Sequence, residues 1–473
     1  MKKIREFILH TPLTNDKYNI LFIFGVQLIA YGLYSYSVKT SVLLLLALAV
    51  FEYFFYYFKT SFAFNLAGMF PSVWIFTYAL NRLRINSLYH IWETKTWLVF
   101  IITPCVYLLG FVIYDWKFEK GHKIKDNLIS RDYHFDHIYS VFKTVVIAGT
   151  TIAVLFAFEV AVIGYIPYFS KDMNAYVDFY VPVAHSFVVL SYFVPCIAVF
   201  YLYILNKNGK YPEYKAWHKP LVYLLSVIAI VIPILIVSRQ NMFQLIFSTC
   251  FIYDSLYQKK NLKVFVLMCI LLAVSYLIIS PARNQSVDYL GTVYTKPGTD
   301  TGVDSGPNPL DSLPSILKTP YIYVTISDEN FSRQVRDETK FTFGLRQLEL
   351  PLKVIEKITG TDYSASTGDY KATFQVNEHL NTFNLVSDFY MDFGVIGLMI
   401  EMILLGLLAA FAQDIGDQVR NPIFKIAYSM ISYVFFFCYF APWTSIFTTQ
   451  FTVALIIALL VGFVYLTKPA EKS

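Results

Sequence analysis

Apolar runs long enough to cross a bilayer recur along most of the chain, and short polar segments separate them. A membrane-spanning helix needs about 20 predominantly apolar residues. By this rule the pattern predicts twelve spans, at about 19–36, 41–58, 61–80, 96–114, 144–166, 179–206, 220–238, 240–257, 264–280, 389–413, 426–442 and 446–467. The predicted fold class is therefore an all-α integral membrane protein with about 12 transmembrane helices.

One polar segment, residues 281–388, is too long for a passive connection and is predicted to have structure of its own. The part "SDENFSRQVRDETK" predicts a helix that opens with a cap at Ser327. The part "FGLRQLELPLKVIEKI" has apolar residues three and four apart, at Leu345, Leu348, Leu352, Ile355 and Ile358. This spacing is typical of an amphipathic helix that lies against the membrane or against other spans.

The composition supports the membrane class, because 56% of the residues are hydrophobic and only 15% are charged. A soluble domain carries about 25% charged residues. Lysine and arginine concentrate in the segments 115–143, 207–219, 258–263 and 414–425, which lie on the same side as Met1 if the count is twelve. The positive-inside rule then places both tails, 1–18 and 468–473, in the cytoplasm.

This orientation divides the chain into a nine-helix region at 19–280, a large extracytoplasmic loop at 281–388 and a three-helix region at 389–467. The formal net charge of +5 gives no sign of a nucleic-acid partner. The five cysteines lie inside apolar runs, without the spacing of a disulfide framework or a metal site. No cofactor is predicted. Acidic residues inside the spans keep a transporter open as an alternative: Glu52, Glu159 and Glu401.

The predicted outer side carries a small number of arginines. Arg239 lies between two apolar runs that almost no loop separates, which places it at the outer surface. Such a residue either extends its charge to the interface from a helix end or binds an anion, since guanidinium groups bind phosphate through paired hydrogen bonds. Further arginines follow in or beside the large loop, although that loop holds ten basic against fourteen acidic residues: Arg283, Arg333, Arg336 and Arg346.

A second group of polar residues leads directly into the tenth predicted span, in "HLNTFNLVSDFYMDFGVIGLM". Its members are His379, Asn381, Asn384, Asp388, Tyr390 and Asp392. The polar residues of this stretch form the wall of a site at the membrane surface, or Asn381, Thr382 and Asp388 simply cap the helix that follows, where an acidic group is favourable. Gly394 and Gly397 would let the span start close to its neighbours.

These features together resemble the bacterial oligosaccharide repeat-unit polymerases, that is, the Wzy-type O-antigen and capsule polymerases of the GT-C class. The similar parts are the layout of spans with one late outer loop, "SRQNMF" with Arg239, and the run from "TPYIYVTISDENF" to "LNTFNLVSDFYMDFGVIGLM". In the related O-antigen ligases, a histidine is followed by a polar residue, and nine residues separate this polar residue from Gly-x-x-Gly. Here Asn384, Gly394 and Gly397 fit that spacing, but Phe383 stands at the histidine position, which argues against a ligase. Arg333 and Gly344 also match an arginine-to-glycine spacing of some polymerases.

The resemblance implies a metal-independent glycosyltransferase in the bacterial cytoplasmic membrane, with its active site facing outward. Its donor and acceptor would be oligosaccharides on undecaprenyl diphosphate, and membrane lipid would surround it. The resemblance leaves open whether a chain-length regulator and a flippase bind it. The alternatives are an O-antigen-type ligase and a flippase or transporter of lipid-linked oligosaccharides.

The resemblance also suggests a role for each polar candidate. Arginines would bind the diphosphate, and the candidates, from the most to the least favoured, are Arg239, Arg283, Arg346, Arg336 and Arg333. The base that accepts the acceptor's proton would be His379, Asp388 or Asp392. The glycans would contact Asn381, Asn384 and Tyr390.

Overall fold

The computed structural model describes residues 15–60, 62–118, 133–134, 138–170, 175–257, 262–282, 309–338, 340–361, 373–376, 380–418, 422–446, 449–450 and 468–469. Helices form most of these residues, as the apolar runs predict. Each helix is named below by its place in the chain.

The first helices are α1 (Asp16–Tyr34), α2 (Val38–Thr60), α3 (Leu66–Arg82), α4 (Thr94–Phe118) and α5 (Ile138–Ile163). The short helices α6 (Ala175–Asp178) and α7 (Ala184–Val188) precede α8 (Phe193–Asn208), α9 (His218–Leu235), α10 (Arg239–Tyr257) and α11 (Leu262–Ala282). The last helices are α12 (Ser315–Asp337), α13 (Glu349–Thr359), α14 (Ser387–Gln418) and α15 (Pro422–Phe436). Two-residue strands, β1 (Tyr133–His134) and β2 (Lys468–Pro469), pair antiparallel with Tyr133 opposite Pro469.

Seven helical segments of the described residues are long and apolar enough to cross a membrane. They are Val38–Thr60, Thr94–Lys117, Ile138–Ile163, Ala184–Lys207, His218–Leu235, Leu262–Ile279 and Ser387–Asp414. The protein is thus a multi-pass helical membrane protein. Helices also lie at four other predicted spans (α1, α3, α10 and α15), whereas 446–467 falls mostly outside the described residues. The total of twelve spans stays a prediction.

The described chain divides into two compact units. The first draws on the ranges 1–121, 287–413 and 434–451, and the second on 122–286, 414–433 and 452–473. The first unit contains α1 to α4, α12, α13 and most of α14. The second contains β1, α5 to α11 and β2.

An aromatic core in the first unit holds α12 against α3 and α4. Phe331 of α12 lies with its ring centroid 5.4 Å from Phe100 and 6.3 Å from Trp74, and these last two rings stack on each other at 5.2 Å. Aromatic pairs at such distances stabilise a contact beyond their buried area. The segment predicted as an outer loop therefore contains a helix that packs against α3 and against α4, a candidate membrane span.

The helix α12 begins earlier than its sequence predicts. The predicted cap, Ser327, is instead buried in the middle of the 23-residue helix, where its hydroxyl donates to the carbonyl of Tyr439. Ser-Asp-Glu-Asn is a typical helix start because these side chains accept hydrogen bonds from free backbone N–H groups. Here the same groups find partners on other segments, so the helix continues through them.

The helix α14 is kinked at Phe393 and Gly394, where Gly394 adopts a φ of +66°. A kink leaves backbone carbonyls without their helical partners. The turn before α13 supplies new ones, since Thr342 N–H donates to the Met391 carbonyl at 3.1 Å and Phe343 N–H to that of Asp392 at 3.0 Å. Gly394 thus marks the point at which the apolar part of α14 begins.

Candidate functional site

The polar stretch that leads into α14 lies along α12 and is hydrogen-bonded to it. Asn330 of α12 donates through Nδ2 to the carbonyls of Leu380 at 2.6 Å and Thr382 at 2.8 Å. Its Oδ1 accepts the backbone N–H of Val376 at 2.9 Å. One buried amide therefore bonds to the backbone of Val376, Leu380 and Thr382.

Further hydrogen bonds connect α12 to residues 387–390 of the polar stretch. The Ser387 hydroxyl donates to Gln334 Oε1 at 2.7 Å, and Gln334 Nε2 donates back to the Ser387 carbonyl at 3.1 Å. The Tyr390 hydroxyl donates to the carbonyl of Val335 at 3.2 Å. These contacts fix the start of α14 on the polar face of α12.

Glu329 and Arg333 of α12 form an ion cluster with Arg82 and His90. Glu329 Oε1 is 2.7 Å from His90 Nδ1 and 3.3 Å from Arg333 Nε, and it accepts the His90 backbone N–H at 3.0 Å. Its Oε2 lies 3.6 Å from Arg82 Nη2. We refer to these residues as the Glu329 cluster.

Arg82 is fully buried in this cluster. Its guanidinium carbon lies 3.6 Å from the centroid of the Trp92 ring, and its Nε donates to Asn81 Oδ1 at 3.1 Å. A cation held over an aromatic face is stabilised by the ring's quadrupole. The residue is thus fixed on three sides, by an aromatic ring, an amide and a carboxylate.

The charges of the cluster decide the ionisation of Glu329. Burial opposes ionisation, but the hydrogen bond and charge of His90 and the charges of Arg82 and Arg333 outweigh it, and the pKa of Glu329 falls below its ordinary value. Glu329 is therefore a carboxylate at neutral pH, shared between two guanidinium groups.

The neighbouring acid, Asp328, behaves in the opposite way. Burial raises its pKa to about 7, although hydrogen bonds from Asn384 and Thr77 lower it in part. The bond from Asn384 Nδ2 to Asp328 Oδ1 measures 3.1 Å. Adjacent carboxyls with opposite shifts are a known arrangement for separating acid and base roles, and they also occur in structural ion networks.

The described base candidates, Asp388 and Asp392, are both buried at the start of α14. Asp388 accepts from the Ser445 hydroxyl. Asp392 accepts from the Thr342 hydroxyl and, at 3.3 Å, from the backbone N–H of Arg346. Both carboxylates therefore bind groups on neighbouring segments. The third candidate, His379, lies outside the described residues.

The arginines predicted to bind diphosphate have different surroundings. Arg333 belongs to the Glu329 cluster, donates through Nη2 to the Leu88 carbonyl at 2.8 Å and keeps 24% of its side chain exposed. Arg336 pairs with Asp337 through two bonds of 2.6 and 2.7 Å. Arg346 contacts the Met391 sulfur through Nε at 3.1 Å.

The other two predicted arginines are not in this group. Arg239 belongs to the second unit, opens α10 and is 4% exposed, with its guanidinium carbon 4.9 Å from the centroid of the Tyr276 ring. Arg283 lies outside the described residues.

The predicted glycan contacts differ in exposure. Asn381 is exposed, whereas Asn384 and Tyr390 are buried and bonded to α12. The structure thus brings Asn384, Tyr390 and the two aspartates of α14 into the first unit together with Arg333, Arg336 and Arg346. Among the described residues, no group of three or more histidine, cysteine, aspartate or glutamate side chains could hold a metal ion.

Sequence reasoning missed Asp328, Glu329 and His90, and it assigned no role to Arg82. The polarity of Asp328 and Glu329 is typical of a solvent-exposed helix. Their partners are distant in the chain, so the sequence does not show that these residues meet. The available signal is that buried apolar residues occur on two opposite sides of α12, Ile322 and Ile326 on one and Phe331 and Val335 on the other.

Comparison with known proteins gives no match to any protein-family model, to any curated protein or to any solved structure.

Proposed function

We propose that the protein polymerises oligosaccharide repeat units carried on undecaprenyl diphosphate. The product would be an O-antigen, capsule or other surface polysaccharide. The reaction would take place at the outer face of the bacterial cytoplasmic membrane, with twelve spans and the 281–388 segment on the outer side. The protein would then be a metal-independent Wzy-type glycosyltransferase of the GT-C class.

One observation carries this proposal: the segment that holds the family resemblance is folded onto α12, beside the Glu329 cluster. Carboxylates suited to proton transfer and arginines suited to diphosphate binding therefore belong to the same compact unit. Arg82 and Arg333 both lie beside Glu329, and guanidinium groups bind phosphate oxygens through paired hydrogen bonds. Arg333 has the most exposed side chain of the cluster, at 24% against 15% for His90.

The proposed step is a displacement at the anomeric carbon of the growing glycan. The acceptor hydroxyl oxygen forms the new bond to that carbon. The bond from the carbon to the diphosphate oxygen breaks, and its electron pair leaves with undecaprenyl diphosphate. The hydroxyl proton passes to a carboxylate, for which Asp388 and Asp392 are the described candidates. Both are covered by hydroxyl groups, of Ser445 and Thr342, so the acceptor must displace one of these.

Arginine suits the leaving group because it stabilises developing negative charge without a metal. Arg333 would contact the diphosphate while Glu329 and the Leu88 carbonyl hold its orientation. Arg82 would act through the cluster as a positioning residue. Removing one such donor in other enzymes lowers the rate by about 10² to 10³.

The test is in vitro polymerisation with purified protein and short undecaprenyl-diphosphate-linked repeat units, resolved by length on a gel. We expect a ladder from the wild type, a loss of at least tenfold in Arg333→Ala and an unchanged ladder in Lys353→Ala. Lys353 is an exposed lysine on α13 and controls for the loss of one positive charge. A melting curve for each variant separates loss of chemistry from loss of folding.

The outcome also distinguishes the alternatives. Transfer of a glycan to a different lipid acceptor, without a ladder, would identify a ligase. Movement of the lipid-linked unit across liposomes, without any transfer, would identify a flippase. Either result with a cognate unit overturns the polymerase proposal.

A further inference from the structure

The helix α13 exposes an apolar face. Leu348, directly before the helix, is 48% exposed, and within the helix Val354 is 48%, Ile355 40% and Ile358 78% exposed. At 100° per residue these four side chains lie on one side of the helix. A soluble helix turns such a face inward, so the exposure of this one needs an explanation.

The opposite side of the same helix is polar. Lys353 is exposed and Glu356 is half-buried, and both positions lie away from the apolar face. A helix with one apolar and one charged side is typical of a segment that lies in the membrane interface. Its 11 residues correspond to about 16 Å, which is too short to cross a bilayer.

Hydrogen bonds and an aromatic contact attach this segment to the start of α14. The turn before α13 bonds to Met391 and Asp392 through the N–H groups of Thr342 and Phe343. The ring of Phe343, which is 74% exposed, lies 6.1 Å from that of Phe393. The position of α13 is therefore tied to the point at which the apolar part of α14 begins.

The exposed apolar surface continues from this point along α14. The helix Ser387–Gln418 includes a candidate membrane span, and its exposed apolar residues recur three to four apart: Phe393, Ile396, Ile400, Leu404, Leu408 and Phe411. In a span, such a stripe faces the acyl chains of the lipid. Phe343, in the turn before α13, and Phe393, at the start of this stripe, are both exposed and in ring contact with each other.

We propose that α13 lies in the plane of the membrane, with Leu348, Val354, Ile355 and Ile358 inserted among acyl chains at the level of the α14 kink. The occupant of the apolar face is the bilayer itself. The bonds from the turn before α13 to Met391 and Asp392 favour lipid over a second copy of the chain, because the exposed apolar stripe of the candidate span begins directly after these residues. This inference does not depend on the proposed function.

The test uses photo-crosslinking of the full-length protein in nanodiscs of phosphatidylglycerol and phosphatidylethanolamine. The crosslinker p-benzoylphenylalanine replaces Ile358 in one variant, Val354 in a second and the polar-face Lys353 in a third. Replacement of Leu404, in the stripe of α14, gives the reference for lipid contact. After irradiation, mass spectrometry counts lipid adducts and a denaturing gel reports linked chains.

We expect lipid adducts at positions 358 and 354 at a yield close to that at 404 and at least about tenfold above that at 353. Equal yields at 358 and 353 would overturn the proposal. So would a product of twice the chain mass at 358, which would identify a second copy as the occupant. Two separate positions on the apolar face keep the test valid if one variant fails to fold.

Discussion

The helices α12 and α13 belong to the same predicted loop, and they differ in where their polar and apolar groups lie. In α12, a row of polar side chains is buried: Ser327, Asp328, Glu329, Asn330, Ser332 and Gln334. In α13, an apolar face is exposed instead. The more polar helix therefore lies inside the protein, and the more apolar one lies at its surface.

The difference shows that polarity does not determine burial in a membrane protein; the available partners do. A buried polar group is tolerated when it is hydrogen-bonded or paired, and α12 finds amides, carbonyls and guanidinium groups on three other segments. An exposed apolar face is tolerated when lipid covers it. Four predictions follow from this contrast between internal partners and a lipid environment.

The largest effect is expected for Glu329→Leu. The substitution leaves Arg82 fully buried without its carboxylate, and breaking a buried pair in this way costs about 3–5 kcal/mol. The melting temperature in detergent should fall sharply or no folded protein should be recovered. Glu356→Gln on α13 is the matched control and should have the same melting temperature as the wild type. The double variant Glu329→Leu/Arg82→Met should recover part of the loss, whereas an unchanged Glu329→Leu would show that the cluster does not stabilise the fold.

A second prediction compares the same substitution in both helices. Ile326→Ser in α12 puts a hydroxyl at a position that is 3% exposed and removes packed methylene groups, for a loss of about 2–4 kcal/mol. Ile358→Ser in α13 should change stability in detergent by about 0.5 kcal/mol or less, because the position is exposed. Thermal melting of both variants measures the difference. Equal losses would mean that α13 is packed inside the protein.

The third prediction concerns the pH dependence of stability. The pKa of Asp328 is about 7 in the folded protein, and its ordinary value is 3.8. Between these two pH values, the folded state therefore holds a proton that the unfolded chain has lost. Its contribution to stability is therefore fully present near pH 4 and falls as the pH rises to about 7. The lowered pKa of Glu329 acts in the opposite sense, but near and below its ordinary value of 4.5, so it overlaps only the acidic end of this window.

Asp328→Asn should remove this dependence, since an amide does not titrate and can still bond to Asn384. We expect the variant to melt above the wild type at pH 8 and to lose less stability than the wild type between pH 5 and pH 8. Parallel melting curves across this range for the two proteins would show that Asp328 does not hold the proton.

The smallest effect is expected for Gly394→Ala. A left-handed φ of +66° is unfavourable for alanine, and the new Cβ would lie 3.0 Å from the Phe341 ring, so about 1–2 kcal/mol should be lost. Gly32→Ala in α1 meets open space and is the matched control, with no loss expected. Photo-crosslinking from position 358 should also drop if the kink sets the depth of α13. A fully stable Gly394→Ala would mean that the kink is not required.

The sequence predicts the parts of the fold that depend on apolar spacing alone. Helices occur at the apolar runs, and the spacing of Leu348, Ile355 and Ile358 correctly predicts α13. The tenth predicted span, at about 389–413, also agrees with the candidate span Ser387–Asp414 of α14. These features are local, since each depends on residues within one or two helical turns.

The burial of α12 could not be predicted in this way. Asp328, Glu329 and Asn330 resemble an exposed helix start until Arg82, His90 and Asn384 are known to lie beside them. Those partners come from distant positions, and only the folded chain brings them together. For the candidate site, the sequence names Asn384, Tyr390 and the aspartates of α14 as one group, and this selection stays a prediction; the bonds of Asn384 and Tyr390 to α12 are not visible in the sequence.

The bonds between the turn at 342–346 and residues 391–392 can form only after both segments have been synthesised. The ribosome makes α13 before α14, so the turn emerges without the carbonyls and the carboxylate that later hold it. At about 5–20 residues per second, Asp392 is synthesised only seconds later. The amphipathic helix must therefore wait as an unattached segment, and insertion of α14 is the event that fixes it in place.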